Sequence, residues 1–173
     1  MRNMISKPGF LLLSGVFTLL FMLILYTSMA RVLPSGAPGV FSLQTAFSKA
    51  SLMSILSAWG PALSTYLALM TVDFFYALSY GLFLSGLIEI LTRKSRGLSF
   101  LFYLPLGAAA LDWAENVLHL IFLPDYETIR AGTVFIMSLI SSLKWVLAII
   151  SILAIIALLI KVLVGYISSL LTS

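Results

Sequence analysis

Few residues in this chain can do chemistry, and those few recur at helical spacing. Its 173 residues hold ten Lys and Arg, six Asp and Glu, one His and no Cys. Asp112, Glu115, Asn116 and His119 stand at i, i+3, i+4 and i+7, which places them on one face of a helix. Tyr66, Asp73, Tyr76 and Tyr80 follow steps of seven, three and four, again one face. Lys144 stands in the last apolar stretch with Ser141 and Ser138 behind it on the same side.

Carboxyls, tyrosines, an amide and a lysine in apolar sequence point to two chemistries. One is a pocket or relay for a small amphiphile, a lipid or a proton. Its binding residues would be Asp73, Tyr76, Tyr80, Asp112, Glu115, Asn116 and Lys144. The alternative is a metal centre in which Asp112, Glu115 and His119, with Asp73, supply oxygen and nitrogen ligands and activate water. A single His and no repeated Glu-x-x-His weigh against it. Each element also has a purely structural reading. The acids and Asn116 can join helices by hydrogen bonds. Lys144 can snorkel toward an interface. The tyrosines and Trp59, Trp113 and Trp145 can be packing or interface anchors. Ser79, Gly81, Ser85 and Gly86 suit close helix contact. The chain holds no phosphate loop, Gly-x-Ser-x-Gly, His-Glu-x-x-His or dinucleotide fingerprint, so no catalytic residue or cofactor is assigned and a non-enzymatic role is favoured. Without cysteine there are no disulfides, thiolate metal sites or haem attachment.

The elements that must position these residues follow from composition. Hydrophobic residues make up 61% and charged residues 9%, against roughly 45–50% and about 25% in a soluble domain. This excludes an ordinary cytosolic domain, a disordered chain and a nucleic-acid binder. The expectation is a single integral membrane domain over 1–173, with spans at about 10–30, 62–91, 98–123 and 138–165. The first apolar segment is too long for a signal-peptide core of ~7–15 residues and is read as a retained span. Residues 42–59 read as an amphipathic interfacial helix, with Leu43, Phe47, Ala50, Met53 and Trp59 on the apolar stripe and Gln44, Ser48, Ser51 and Ser54 off it. The alternative is a lid packed on the end of the bundle. The apolar run from Thr133 to Leu171 exceeds one straight crossing, so it must tilt, protrude or lie partly in the interface. Arg2, Lys7, Arg93, Lys94, Arg96 and Lys161 fall on one side, and Arg31, Lys49 and Arg130 on the other. This predicts an inner-membrane protein with both termini cytoplasmic.

Depth then brings the candidates together. Asp73 lies twenty residues before Arg93, Glu115 nineteen after Arg96 and Lys144 seventeen before Lys161. These separations correspond to ~30, ~28 and ~25 Å of helix, one layer if the basic residues mark a plane. Three carboxylates against one lysine leave that layer at −2 if all are ionised, which a low-dielectric interior disfavours. One or two carboxyls must stay protonated, or a cation or protonated His119 must join them.

The pieces Leu43-Gln44-x-Ala46-Phe47, Trp59-Gly60, Tyr66, Asp73-Phe74, Tyr80-Gly81, Pro105-Leu106 and Leu111-Asp112-x-x-Glu115-Asn116 together resemble a family of small four-span bacterial membrane proteins that carry no assigned function. The resemblance covers most of the chain after Arg31, and Asp-x-x-Glu-Asn is its most specific part. It implies four-helix architecture and draws attention to Asp73, Asp112, Glu115 and Asn116, but it implies no activity. The trimeric glutathione-transferring membrane enzymes have similar length, yet their arginine- and asparagine-bearing helix pattern is absent here. The resulting expectation is an all-α fold, a four-helix transmembrane bundle with an additional amphipathic interfacial helix. Its partners would be the lipid bilayer, a lipid or amphiphile ligand, and a membrane protein or a second copy of the chain. A non-catalytic subunit of a larger complex is the third functional reading.

Overall fold

A computed structural model describes residues 2–93 and 96–171. Lys94 and Ser95, in the basic turn expected from the sequence, lie outside the described residues. The helices are α1 (Arg2–Ile5), α2 (Pro8–Val32), α3 (Val40–Gln44), α4 (Lys49–Trp59), α5 (Ala62–Thr92), α6 (Tyr103–Phe122) and α7 (Ala131–Leu171), with 3-10 turns at Arg96–Phe102 and Leu123–Asp125. Local chemistry sets their limits. Pro8 opens α2, where a missing N–H costs nothing. Ser48 caps α4 by accepting from the Ser51 N–H. Gly60, at φ 51°, ends α4 immediately before Pro61. Pro124 stands where α6 gives way to a 3-10 turn.

Among the described residues, four helical segments are long and apolar enough to cross a membrane: Pro8–Val32, Ala62–Thr92, Leu98–Asp125 and Ala131–Leu171. The protein is a multi-pass membrane protein. Large apolar side chains cover the outside of every span, among them Leu12, Leu19, Phe75, Ile121, Phe135 and Leu153. The bundle is asymmetric. Helices α5, α6 and α7 pack on one another, whereas α2 lies chiefly along α5. Of α2 only Leu11, Ser14 and Met29 are buried, and Phe21 meets Phe75 of α5 at 6.1 Å.

Three packed layers stack along the bundle. At the end carrying residues 33–61, the lid end, Trp59, Leu52, Leu56, Leu43, Met70 and Val134 form one core. Small residues follow: Ala77, Ala108 and Ala109 let α5 and α6 approach closely. A Cβ on Gly81 would lie 2.8 Å from Ala109 Cβ, so only glycine permits this separation. At the opposite end Ile5, Ile88, Phe102 and Ile155 close the interior. There Arg2 stacks on Phe102, 4.4 Å from its centroid, and donates to the Ser99 carbonyl at 3.1 Å.

One sequence expectation changes. The 42–59 segment is not one amphipathic helix. It breaks between α3 and α4, where Phe47 takes φ 21° and its N–H donates to Ser138 Oγ on α7 at 3.0 Å. The break rotates α3 relative to α4. Gln44 therefore turns inward and is buried, while Phe47 and Ala50, expected on the apolar stripe, are exposed. Leu52, Ile55, Leu56 and Trp59 instead form the buried face of α4, and the segment is a lid packed on the bundle. Trp59 Nε1 donates to the Pro38 carbonyl at 2.6 Å, and Lys49 Nζ to the Glu127 carbonyl at 2.7 Å. The last helix runs past both ends of the expected 138–165 span, as an apolar run too long for one straight crossing requires. Helix α7 runs unbroken for 41 residues, ~61 Å and about twice a hydrocarbon core. It packs on the bundle from Val134 to Leu158, and its described residues beyond Leu158 are exposed.

Candidate functional site

Between the lid core and the small-residue layer lies the polar cluster. Helix α6 supplies most of it, because its buried stripe includes Asp112, Glu115, Asn116 and His119. Helix α7 brings Lys144, only 6% exposed. Its ammonium lies 3.0 Å from Asp112 Oδ1 and 2.7 Å from Glu115 Oε2. The first contact is a hydrogen bond. The second is a charge contact without good hydrogen-bond angles. Lys144 thus bridges two carboxylates inside the bundle and does not snorkel.

The network extends from this bridge. Tyr80 of α5 donates to Asp112 Oδ2 at 3.1 Å. Gln44 of the lid donates through Nε2 to Glu115 Oε1 at 2.5 Å and accepts at Oε1 from Trp145 Nε1 at 3.0 Å. His119 Nδ1 lies 3.9 Å from Glu115 Oε1 and shares a 2.8 Å hydrogen bond with the Tyr66 hydroxyl. Buried polar groups in a bundle interior are costly unless paired, and most of these are paired.

Asn116 departs from that rule, as does the Glu115 oxygen that Lys144 meets off-angle. Asn116 is 1% exposed; its amide reaches only the Asp73 carboxyl, off ideal geometry, and its oxygen meets no donor among the described residues. It lies beside Asp73, close enough to act on that carboxyl. Asp73 itself forms no ion pair among the described residues. It shares the inward stripe of α5 with Met70 and Ala77, which are buried, but stays partly exposed. Tyr76, one turn on, is also partly exposed, with its ring 5.2 Å from that of Tyr80. The layer is therefore closed around Lys144 and partly exposed at Asp73 and Tyr76.

All seven expected binding residues, Asp73, Tyr76, Tyr80, Asp112, Glu115, Asn116 and Lys144, meet at this height. His119 joins them through Tyr66. For the metal alternative, no group of three or more His, Asp or Glu side chains among the described residues is arranged to hold an ion. The ammonium of Lys144 occupies the point on which Asp112 and Glu115 converge. Three participants fall outside the binding set expected from the sequence: Gln44 on the expected outward face, Trp145 among the packing or interface anchors, and Tyr66 on the α5 stripe. An amide next to Leu43 is the sequence signal available for Gln44.

Toward the other end the network stops. The Ser79, Ser85 and Ser151 hydroxyls donate to the carbonyls of Tyr76, Phe102 and Leu147. Beyond them lie Ile88, Phe102 and Ile155. No family model, curated protein or solved structure matches the chain.

Proposed function

We propose that this protein is a small integral membrane binding protein whose acidic and aromatic layer takes the polar head of a small amphiphile or lipid. The observation that carries the reading is the buried amide oxygen of Asn116, which meets no donor among the described residues while the amide lies against the Asp73 carboxyl. An unmet buried acceptor costs about 1–3 kcal/mol, and a ligand head supplies the donor. The partial exposure of Asp73 and Tyr76 gives such a head a route from the side. A ligand anchored there would leave its tail among the acyl chains.

Proton transfer across the membrane has less support. From Tyr80 to Arg93 is about 20 Å of helix, along which the serine hydroxyls are bonded to backbone and the facing side chains are apolar. The basic residues favour placing the lid end outside the cytoplasm, so the site would face the outer leaflet. Mass spectrometry of the protein extracted with its native lipid tests the reading. The wild type is expected to retain one small amphiphile per chain. Asn116→Leu, similar in volume and without polar atoms, is expected to lose it. A ligand-free wild type would refute the proposal.

A further inference from the structure

Charge distribution within the layer narrows the class of ligand. Lys144 is the one cation at this height among the described residues, and Asp112 and Glu115 already share it at 3.0 and 2.7 Å. Tyr80 and Gln44 donate to Asp112 Oδ2 and Glu115 Oε1. An anionic head would find no uncommitted cation, and it would meet three acids. Asp73 is in the opposite condition. It has no ion-pair partner among the described residues, it is itself partly exposed, and Tyr76 and Tyr80 follow it on the same face of α5 with their rings 5.2 Å apart. A carboxylate without a cation, with tyrosines on the same helix face and an amide oxygen that no donor meets, is a recognition set for positively charged nitrogen.

We infer that Asp73, Asn116, Tyr76 and Tyr80, at the partly exposed side of the layer, bind amphiphiles with a cationic nitrogen head. This rests on the amphiphile-binding reading above. Asp73 supplies the counter-charge and the tyrosine rings supply cation–π contact. The Asn116 carbonyl oxygen accepts from the ammonium N–H where the head has one. The cation also reduces the excess negative charge that three carboxyls and one lysine leave in the layer. The alkyl tail leaves past Tyr76 into the bilayer.

The experiment uses the full chain in lipid nanodiscs and three probes with the same dodecyl tail: dodecyltrimethylammonium, a neutral polyethylene glycol dodecyl ether, and dodecanoate. Native mass spectrometry counts probe per chain, and tryptophan fluorescence follows the titration. Dodecyltrimethylammonium is expected to saturate at one per chain and to bind at least tenfold more tightly than either other probe. Asp73→Asn is expected to weaken it at least tenfold, with Asp73→Glu retaining most of the affinity. Saturable binding in which the neutral or anionic probe equals or exceeds the cation would overturn the cationic class and leave the amphiphile site standing. Unchanged cation binding by a folded Asp73→Asn protein would overturn the assignment to Asp73. If no probe saturates, both this inference and the function it rests on fall. Should Asp73→Asn not fold, the ranking of the three probes on the wild type decides alone.

Discussion

Replacing Lys144 with Met is the sharpest perturbation of the polar layer, because it removes one charge and little volume. The ammonium stands 3.0 Å from Asp112 and 2.7 Å from Glu115. At an effective dielectric constant of ~20, each contact carries about 5–6 kcal/mol of Coulomb attraction, most of it offset by the desolvation needed to bury the charges. Removing one partner of a buried pair leaves the other uncompensated, which costs ~3–5 kcal/mol. Lys144→Met is therefore expected to destabilise the bundle by about that amount. Asp112→Asn removes one of the two stranded carboxylates, so the double variant should recover part of the loss. The coupling in the double-mutant cycle is expected to be ~1–3 kcal/mol. Reversible unfolding in mixed micelles, followed by circular dichroism, measures all three variants. If Lys144→Met costs under ~0.5 kcal/mol, or if the two substitutions are strictly additive, Lys144 is not the bridge described here.

Other consequences follow from single contacts. Gln44→Leu severs the lid from Glu115 and Trp145; it should cost about 1–3 kcal/mol, speed hydrogen exchange over 40–59 and shift Trp145 fluorescence, and unchanged exchange would show that the amide does not latch the lid. Gly81→Ala would force a Cβ against Ala109 at 2.8 Å; a loss of roughly 1–3 kcal/mol is expected, with recovery when Ala109→Gly is added. Ser48→Ala removes the cap of α4 and should cost ~0.5–2 kcal/mol in the same unfolding measurement. Tyr66→Phe deletes the hydroxyl bonded to His119 at 2.8 Å; a loss of about 1–2 kcal/mol and a changed His119 ring NMR signal are expected, and a silent substitution would mean that His119 finds another partner.

Regular helix is where sequence periodicity is most informative. Asp112, Glu115, Asn116 and His119 stay on one face for any α-helix through them, and the equal depth of Asp73, Glu115 and Lys144 needed only a constant rise per residue. The irregular segment was harder. A stripe drawn through Leu43, Phe47 and Ala50 assumes an unbroken helix. Ser48 capping α4 and the strained backbone at Phe47 end that assumption, and Gln44 turns inward as a result. Nor does any local pattern reveal that Trp145 and Tyr66 are hydrogen-bonded, since their partners are 101 and 53 residues away.

The sequence by itself determined that the chain is helical, that it has four apolar segments long enough to cross a membrane, and which polar residues could not face lipid. Those properties depend on hydropathy and on a fixed helical period, both local. Only the tertiary structure decided which acids Lys144 bridges, that the lid inserts Gln44, and that the Asn116 oxygen lacks a donor while Asp73 stays partly exposed. Those properties depend on the rotation and spacing of helices against one another. Contacts such as Gly81 on Ala109 set that spacing, and no residue's own neighbours in sequence encode it.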